Sequence, residues 1–432
     1  MGLLTLAGAA ASVQTPDVKV ITGVTLINPT TVVPNATIVI TGARITQVAP
    51  AAAKPPASAE VIDAKGKFAI PGLADMHSHL DDGSLNFQQN KVANLGRMLS
   101  VGVTTVFNPN VTEGDFTKLK AAAAADSSPY PRFFGTGPSI TVEGDTLGSQ
   151  SPKPKTPDEA RAAVQKLKAL GVDAIKTQRD DFGWASTRTN SLMSAEVLQA
   201  TVDEAHRQGL KVYVHAPQLP RAKEALRAGV DGLLHGIIDE PVDQEFIDLM
   251  RKNGAPYVPT LGMFEDVADA SMFAKRQAPY WDALGFQPPA LYQAYIAGQG
   301  VQLFRTLLNN SAYTKEHLPL LRANLKKVFD AGIPVVMGTD TGFFGVLLGV
   351  ATPIEMELMV EAGLKPADAI RSATINAARM IGRDREQGTI DAGKVADLLI
   401  LDGNPIEDIG AVRRIYRVVK GGIVYDPARL PK

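Results

Sequence analysis

Short apolar runs alternate with amphipathic stretches through the middle of this chain. Val172-Asp173-Ala174-Ile175 leads into Lys176, Lys211-Val212-Tyr213-Val214 into His215, Gly232-Leu233-Leu234 into His235, and Pro334-Val335-Val336-Met337-Gly338-Thr339 into Asp340. Apolar runs separated by helical patterns predict parallel βα units, whose strands are covered on both faces. Ala69-Ile70-Pro71-Gly72-Leu73-Ala74-Asp75-Met76 is another such run and closes on His77-Ser78-His79. The two ends read differently. From about Val18 to Lys67, apolar and polar positions alternate, with turn signals at Asn35 and Gly42, and Gly388 to Tyr425 reads likewise. A few isolated strands are marginal alone, so the ends are expected to pair into one small β-sandwich. The predicted fold is α/β: a (β/α)8 TIM barrel over about 69–383, with a β-sandwich domain built from 18–68 and 384–432.

Composition narrows this picture only slightly. At 432 residues, 45% hydrophobic and 21% charged, the chain can bury an ample core. A formal charge of −1 gives no electrostatic reason to expect nucleic acid or an anionic membrane surface as partner. There is no cysteine, which excludes disulfides and a thiol nucleophile. No run approaches the ~20 apolar residues of a membrane span. Residues 1–17 have a short apolar stretch and small residues of A-x-A type but no basic start, like the back half of a signal peptide. They point to a periplasmic or secreted protein, with a cytoplasmic one as the alternative.

The chemistry gathers where the strands end. Side chains alternate along a strand, so His-x-His sets two imidazoles on one face, half of a transition-metal site. The plainer alternative is a strand end carrying two satisfied rings. Barrel enzymes work at the C-terminal strand ends, and His77, His79, Lys176, His215, His235 and Asp340 all fall there. Lys176 could instead pair with an acid such as Asp173, and Asp340 could be a turn or helix cap. His206 and His317 sit within helical patterns and are expected to be solvated.

These six residues, in this order, resemble the amidohydrolase superfamily of metal-dependent hydrolases. The flanking segments Val61-Ile62-Asp63-Ala64-Lys65-Gly66, Gly388-Thr389-Ile390 and Gly393-Lys394-Val395-Ala396-Asp397-Leu398 are similar too, so the resemblance covers nearly the whole chain. Lys176 on the fourth strand looks like the prolidase-like subgroup that contains the Xaa-Pro dipeptidases. The resemblance implies a lysine carboxylated by CO2 that bridges two divalent metal ions, zinc first among them. It implies His77, His79 and Asp340 around the buried ion and His215 and His235 around the outer one. Asp340 would act as general base and then acid in hydrolysis of a small-molecule amide. Members of the superfamily often form oligomers, so a homo-oligomer is compatible with it.

Substrate choice would lie in three loops after strand ends. The first carries Arg179, Asp180, Asp181, Phe182 and Trp184, and another carries Phe343 and Phe344. The longest, a lid over about 262–316, holds Phe264, Phe273, Tyr280, Trp281, Phe286, Tyr292 and Tyr295. Arg179, Trp184, Tyr257 and Phe343 are the candidate substrate contacts. The prolidase-like pattern commonly has Gly-Gly-His-Gly after the third strand and Ile-Glu-His-Gly at the sixth. Here stand Val142-Glu143-Gly144-Asp145-Thr146 and Leu233-Leu234-His235-Gly236. Losing a cationic carboxylate contact shifts the expectation from dipeptides toward a neutral or aryl amide, an N-acyl amino acid, a carbamate or a urea. Xaa-Pro dipeptide cleavage remains one alternative. Ester, lactone or phosphotriester hydrolysis at the same site is another, and a non-catalytic binding barrel a third.

Overall fold

The computed structural model describes residues 17–50, 57–80, 90–144, 150–187, 191–284, 293–294, 297, 309–343 and 345–430. The signal-like start, and Phe286, Tyr292, Tyr295 and Phe344, lie outside the described residues, as does the side chain of Trp281. The architecture is α/β, as expected. The head of the chain supplies β1 (Val18–Ile27), β2 (Val32–Thr41), β3 (Arg44–Pro50), β4 (Glu60–Asp63) and β5 (Phe68–Pro71). The tail supplies β13 (Leu398–Leu401), β14 (Ile415–Lys420) and β15 (Ile423–Tyr425). These join in one sheet of order β15-β14-β13-β5-β1-β2-β3, with β4 on β1. Head meets tail where β5 and β13 pair antiparallel, Leu399 opposite Ile70.

Between them lie two parallel sheets. One has β6 (Leu73–Asp75), β7 (Val103–Asn108) and β8 (Arg132–Gly135); the other has β9 (Ala174–Gln178), β10 (Lys211–His215), β11 (Gly232–Leu234) and β12 (Tyr257–Val258). Every residue of β7 and β9 is buried, as strands covered on both faces should be. Lone parallel bridges extend the sheets: Ile140 with Thr177, Tyr257 with Val335, and Ser78 with Thr341. The pattern is consistent with a barrel. Its inner side chains form one cluster, with Ala74, Met76, Phe107, Ala174, Tyr213, Leu234, Val258 and Val336 drawn from successive strands and Phe134 of β8 packed against it. Gly72, between β5 and β6, has no room for a side chain, because a Cβ there would lie 2.3 Å from the Thr104 hydroxyl.

The helices begin and end on sequence signals. Among the connecting helices are α1 (Lys91–Ser100), α2 (Glu113–Ala122), α3 (Pro157–Leu170), α4 (Ala195–Arg207), α5 (Leu219–Arg227) and α6 (Gln244–Asn253). Thr112, Thr156, Ser194 and Asp243 each cap a first turn through a side-chain oxygen. Gly171 and Gly254 stop α3 and α6 in the left-handed region. With strands parallel and helices returning the chain, all C-terminal strand ends face one way. The expected lid is partly helical, with α7 (Leu261–Ala268) and α8 (Ala270–Leu284) followed further on by the helix Ser311–Asp330. Phe264, Phe273 and Tyr280 are buried and serve packing. No helix among the described residues is long and apolar enough to cross a membrane.

Candidate metal centre

Strand continuation past β6 brings the first three residues of the centre together. Met76 N donates to Met337 O at 3.0 Å, Asp340 N to His77 O at 2.7 Å, and His79 N to Thr341 O at 2.9 Å. The His-x-His segment is thereby stitched to the segment that ends in Asp340. The Nε2 atoms of His77 and His79 lie 3.0 and 2.9 Å from the same oxygen, Asp340 Oδ1. That oxygen is buried and has no hydrogen-bond partner, and neither has His77 Nδ1. Asp75 stands behind them, accepting from His77 N at 3.2 Å and from Thr339 N at 3.1 Å. Burial pushes the Asp75 carboxyl up to about 6 against those hydrogen bonds.

The other sheet supplies Lys176, His215 and His235. Lys176 is buried in β9, and desolvation pulls its amine down to about 7, with Asp340 pushing the other way. Asp173 is not its partner, since that carboxylate accepts from Lys120 Nζ at 2.7 Å and from Gly135 N at 2.8 Å. The His235 ring lies 4.7 Å from that of His77 and 4.3 Å from that of His215. One ligand atom each from His77, His235 and Asp340 falls within 4.8 Å of the others. Burial drives the His77 imidazole down to about 3 and that of His235 well below its usual value, so both rings are neutral and keep a lone pair. Two imidazoles converging on an unpartnered carboxylate oxygen, with no thiolate, fit a divalent cation of the zinc, cobalt or manganese kind.

Backbone strain concentrates here. Of six non-glycine residues in the left-handed region among those described, five (Leu80, Phe182, His235, Thr260 and Asp340) follow strand ends around the centre; only Asn35 lies elsewhere. Such conformations persist where the surroundings over-determine them, which is common at functional sites.

Three supporting residues were not singled out by sequence reasoning. Asp180 Oδ2 lies 2.7 Å from His215 Nε2 and accepts from Trp184 Nε1 at 3.0 Å. Thr260 Oγ1 lies 2.9 Å from His235 Nδ1. Glu355 accepts from Leu261 N at 2.7 Å and Gly262 N at 2.8 Å, anchoring the turn that follows Thr260. Asp180 stood in a noted loop, but only the fold shows which ring it meets.

The candidate substrate contacts are largely engaged in packing. Arg179 binds Glu224 at 2.7 Å and donates to Met193 O. Tyr257 is fully buried, its hydroxyl accepting from Ile237 N at 2.7 Å, and Trp184 is buried against Phe264. Phe343 is half-buried, while Phe182 stacks on His215 at 4.9 Å between ring centres. His206 faces Asp231 at the surface, and His317 stacks on Tyr313.

The amidohydrolase family description matches residues 68–424. An ochratoxinase of Aspergillus niger is 25% identical over 322 residues, 72% of this chain and 57% of the relative, so the chain spans less than two thirds of that protein. A crystal structure of a Xaa-Pro dipeptidase with methionine in its active site superposes with a TM-score of 0.77 at 26% identity, covering 95% of this chain and 100% of the other. Molinate hydrolase, at 23% identity, TM-score 0.73 and 96% of both chains, shares the fold.

Proposed function

The chain belongs to the amidohydrolase family, and on that premise we propose that it is a binuclear metal-dependent hydrolase cleaving the C–N bond of a small amide-type molecule. The observation that carries this reading is the approach of His77 Nε2 and His79 Nε2 to one unpartnered oxygen of Asp340. The reading includes one closed (β/α)8 barrel over about 69–383 and a β-sandwich over 18–68 and 384–432. The three lone bridges support the barrel. A core shared by Ile21, Ile38 and Ile45 of the head with Leu398, Ile400 and Val419 of the tail supports the sandwich.

His77, His79 and Asp340 would hold one ion, His215 and His235 the other, with zinc the first choice for this donor set. Bound there, the ions would activate a water and polarise the scissile carbonyl. Lys176, its amine pulled down to about 7 by burial, would add its nitrogen to CO2 with loss of a proton, and the resulting carbamate would supply anionic oxygen donors to the ions. Asp340 takes the proton of the attacking water and returns it to the leaving nitrogen as the C–N bond breaks. Glu224 pairs with both Arg179 and Arg221, which weakens the case for a free carboxylate on the substrate and favours a neutral amide, carbamate or urea. The likeness to the Xaa-Pro dipeptidase structure favours a second reading, dipeptide cleavage.

Incubation of zinc- and bicarbonate-loaded enzyme with matched sets of neutral aryl amides, carbamates, ureas, N-acyl amino acids and aminoacyl-prolines, followed by mass spectrometry, separates the two. Cleavage confined to neutral substrates supports the first reading. Preference for aminoacyl-prolines supports the second, and inertness toward every C–N substrate contradicts both.

A further inference from the structure

We propose that Gln178 is a specificity-determining residue, whose side-chain amide pairs with a carboxamide or ureido group carried beside the scissile bond. The inference rests on the hydrolase reading above and names the class of substrate that its site takes. Strand alternation aims the side chain. Ala174 of β9 belongs to the inner cluster, Lys176 follows it on the same face, and Gln178 comes next, about 7 Å further toward the strand's C-terminal end. Thr177 between them turns the other way, with its hydroxyl 3.6 Å from Met193 Sδ. Across the sheet, Gln178 stands in register with His215. Its amide therefore faces the site, one step beyond Lys176 and beside His215.

That amide meets nothing in the fold that it can bond. Gln178 is 1% exposed, and neither its Oε1 nor its Nε2 has a hydrogen-bond partner among the described residues; no other side-chain amide there is orphaned at both ends. Ser139 Oγ is a second buried orphan. Ile140 N donates to Lys176 O at 2.8 Å and Ile140 bridges to Thr177, so Ser139 falls on the inward face with Lys176 and Gln178. A buried polar group left unpaired opposes folding, and its persistence here points to a ligand that completes it. An amide both donates and accepts. Its edge matches a primary carboxamide or a ureido group at two points, whereas a carboxylate can only accept and would repel Oε1.

Equilibrium binding of arylsulfonyl amino acid derivatives to the zinc- and bicarbonate-loaded protein tests this, since a sulfonamide in place of the scissile amide is not hydrolysed. The two compounds differ only in the handle, a primary carboxamide against an N,N-dimethylamide. The wild type should bind the carboxamide at least about tenfold more tightly, and Gln178→Met, similar in shape but without the amide, should narrow the gap to about twofold. Gln178→Met should also melt at or above the wild-type temperature, because it removes a buried group that pairs with nothing in the fold. An equal gap in both proteins, no gap in the wild type, or binding of neither compound overturns the proposal. So does a Gln178→Met protein that melts lower or does not fold, since the amide would then serve the fold. Failure of the hydrolase reading looks different: a carboxamide preference that depends on Gln178, in a protein that binds no zinc and cleaves no C–N substrate.

Discussion

Asp75 and Thr339 are joined twice: Asp75 Oδ1 accepts the Thr339 amide at 3.1 Å and Oδ2 accepts its hydroxyl at 2.7 Å. Because Oδ1 also accepts from His77 N, one buried carboxylate fixes the strands that bear His77 and Asp340 relative to each other. Thr339→Val keeps the shape and deletes the hydroxyl. It should cost about 1–3 kcal/mol of stability and weaken zinc binding about tenfold. Thermal midpoints and zinc titrations of the stripped protein check both.

Asp340→Asn removes the proton carrier assigned to the reaction. Turnover of a neutral amide should fall by about 10²–10⁴-fold, with zinc content largely retained. Unchanged turnover would remove Asp340 from the role of base and acid.

Gly338 lies where a Cβ would come 2.6 Å from Val258 Cγ1 and 2.9 Å from His77 N and Cβ. Gly338→Ala should therefore destabilise by about 1–3 kcal/mol and displace His77, lowering zinc occupancy. Gly114 in α2 has nothing near its missing Cβ. Gly114→Ala should be stabilising by up to about 1 kcal/mol with no effect on zinc.

Burial raises the Glu355 carboxyl to about 8 from 4.5, against the amides of Gly262 and Leu261. Between those values the folded protein holds a proton that the unfolded chain has lost. The stability this group contributes is full below about 4.5 and is lost as pH rises through about 8, at up to about 1.4 kcal/mol per pH unit. Glu355→Gln cannot titrate. The wild type's advantage in melting temperature over the variant should shrink from about pH 5 to 8, and a pH-independent gap would contradict this.

The gathering of His77, His79, Lys176, His215, His235 and Asp340 at strand ends was legible in the sequence because each closes an apolar run, and parallel strands carry all such ends to one side. His77-Ser78-His79 was the strongest signal, since alternation alone puts both rings on one face. Asp180, Thr260 and Glu355 were not legible as partners of the centre. Their contacts cross between strands or from loop to helix, with Glu355 more than ninety residues from the turn it anchors. Phe264 and Phe273 of the longest loop are buried in packing, and nothing in the sequence showed that Glu224 occupies Arg179.

The most direct test of the account is zinc titration of chelator-stripped, bicarbonate-supplied enzyme with hydrolysis of a neutral amide followed at each step. The account predicts no turnover in the stripped protein and full recovery only as a second equivalent of zinc is bound. Full turnover without metal, or saturation after one equivalent, would contradict it.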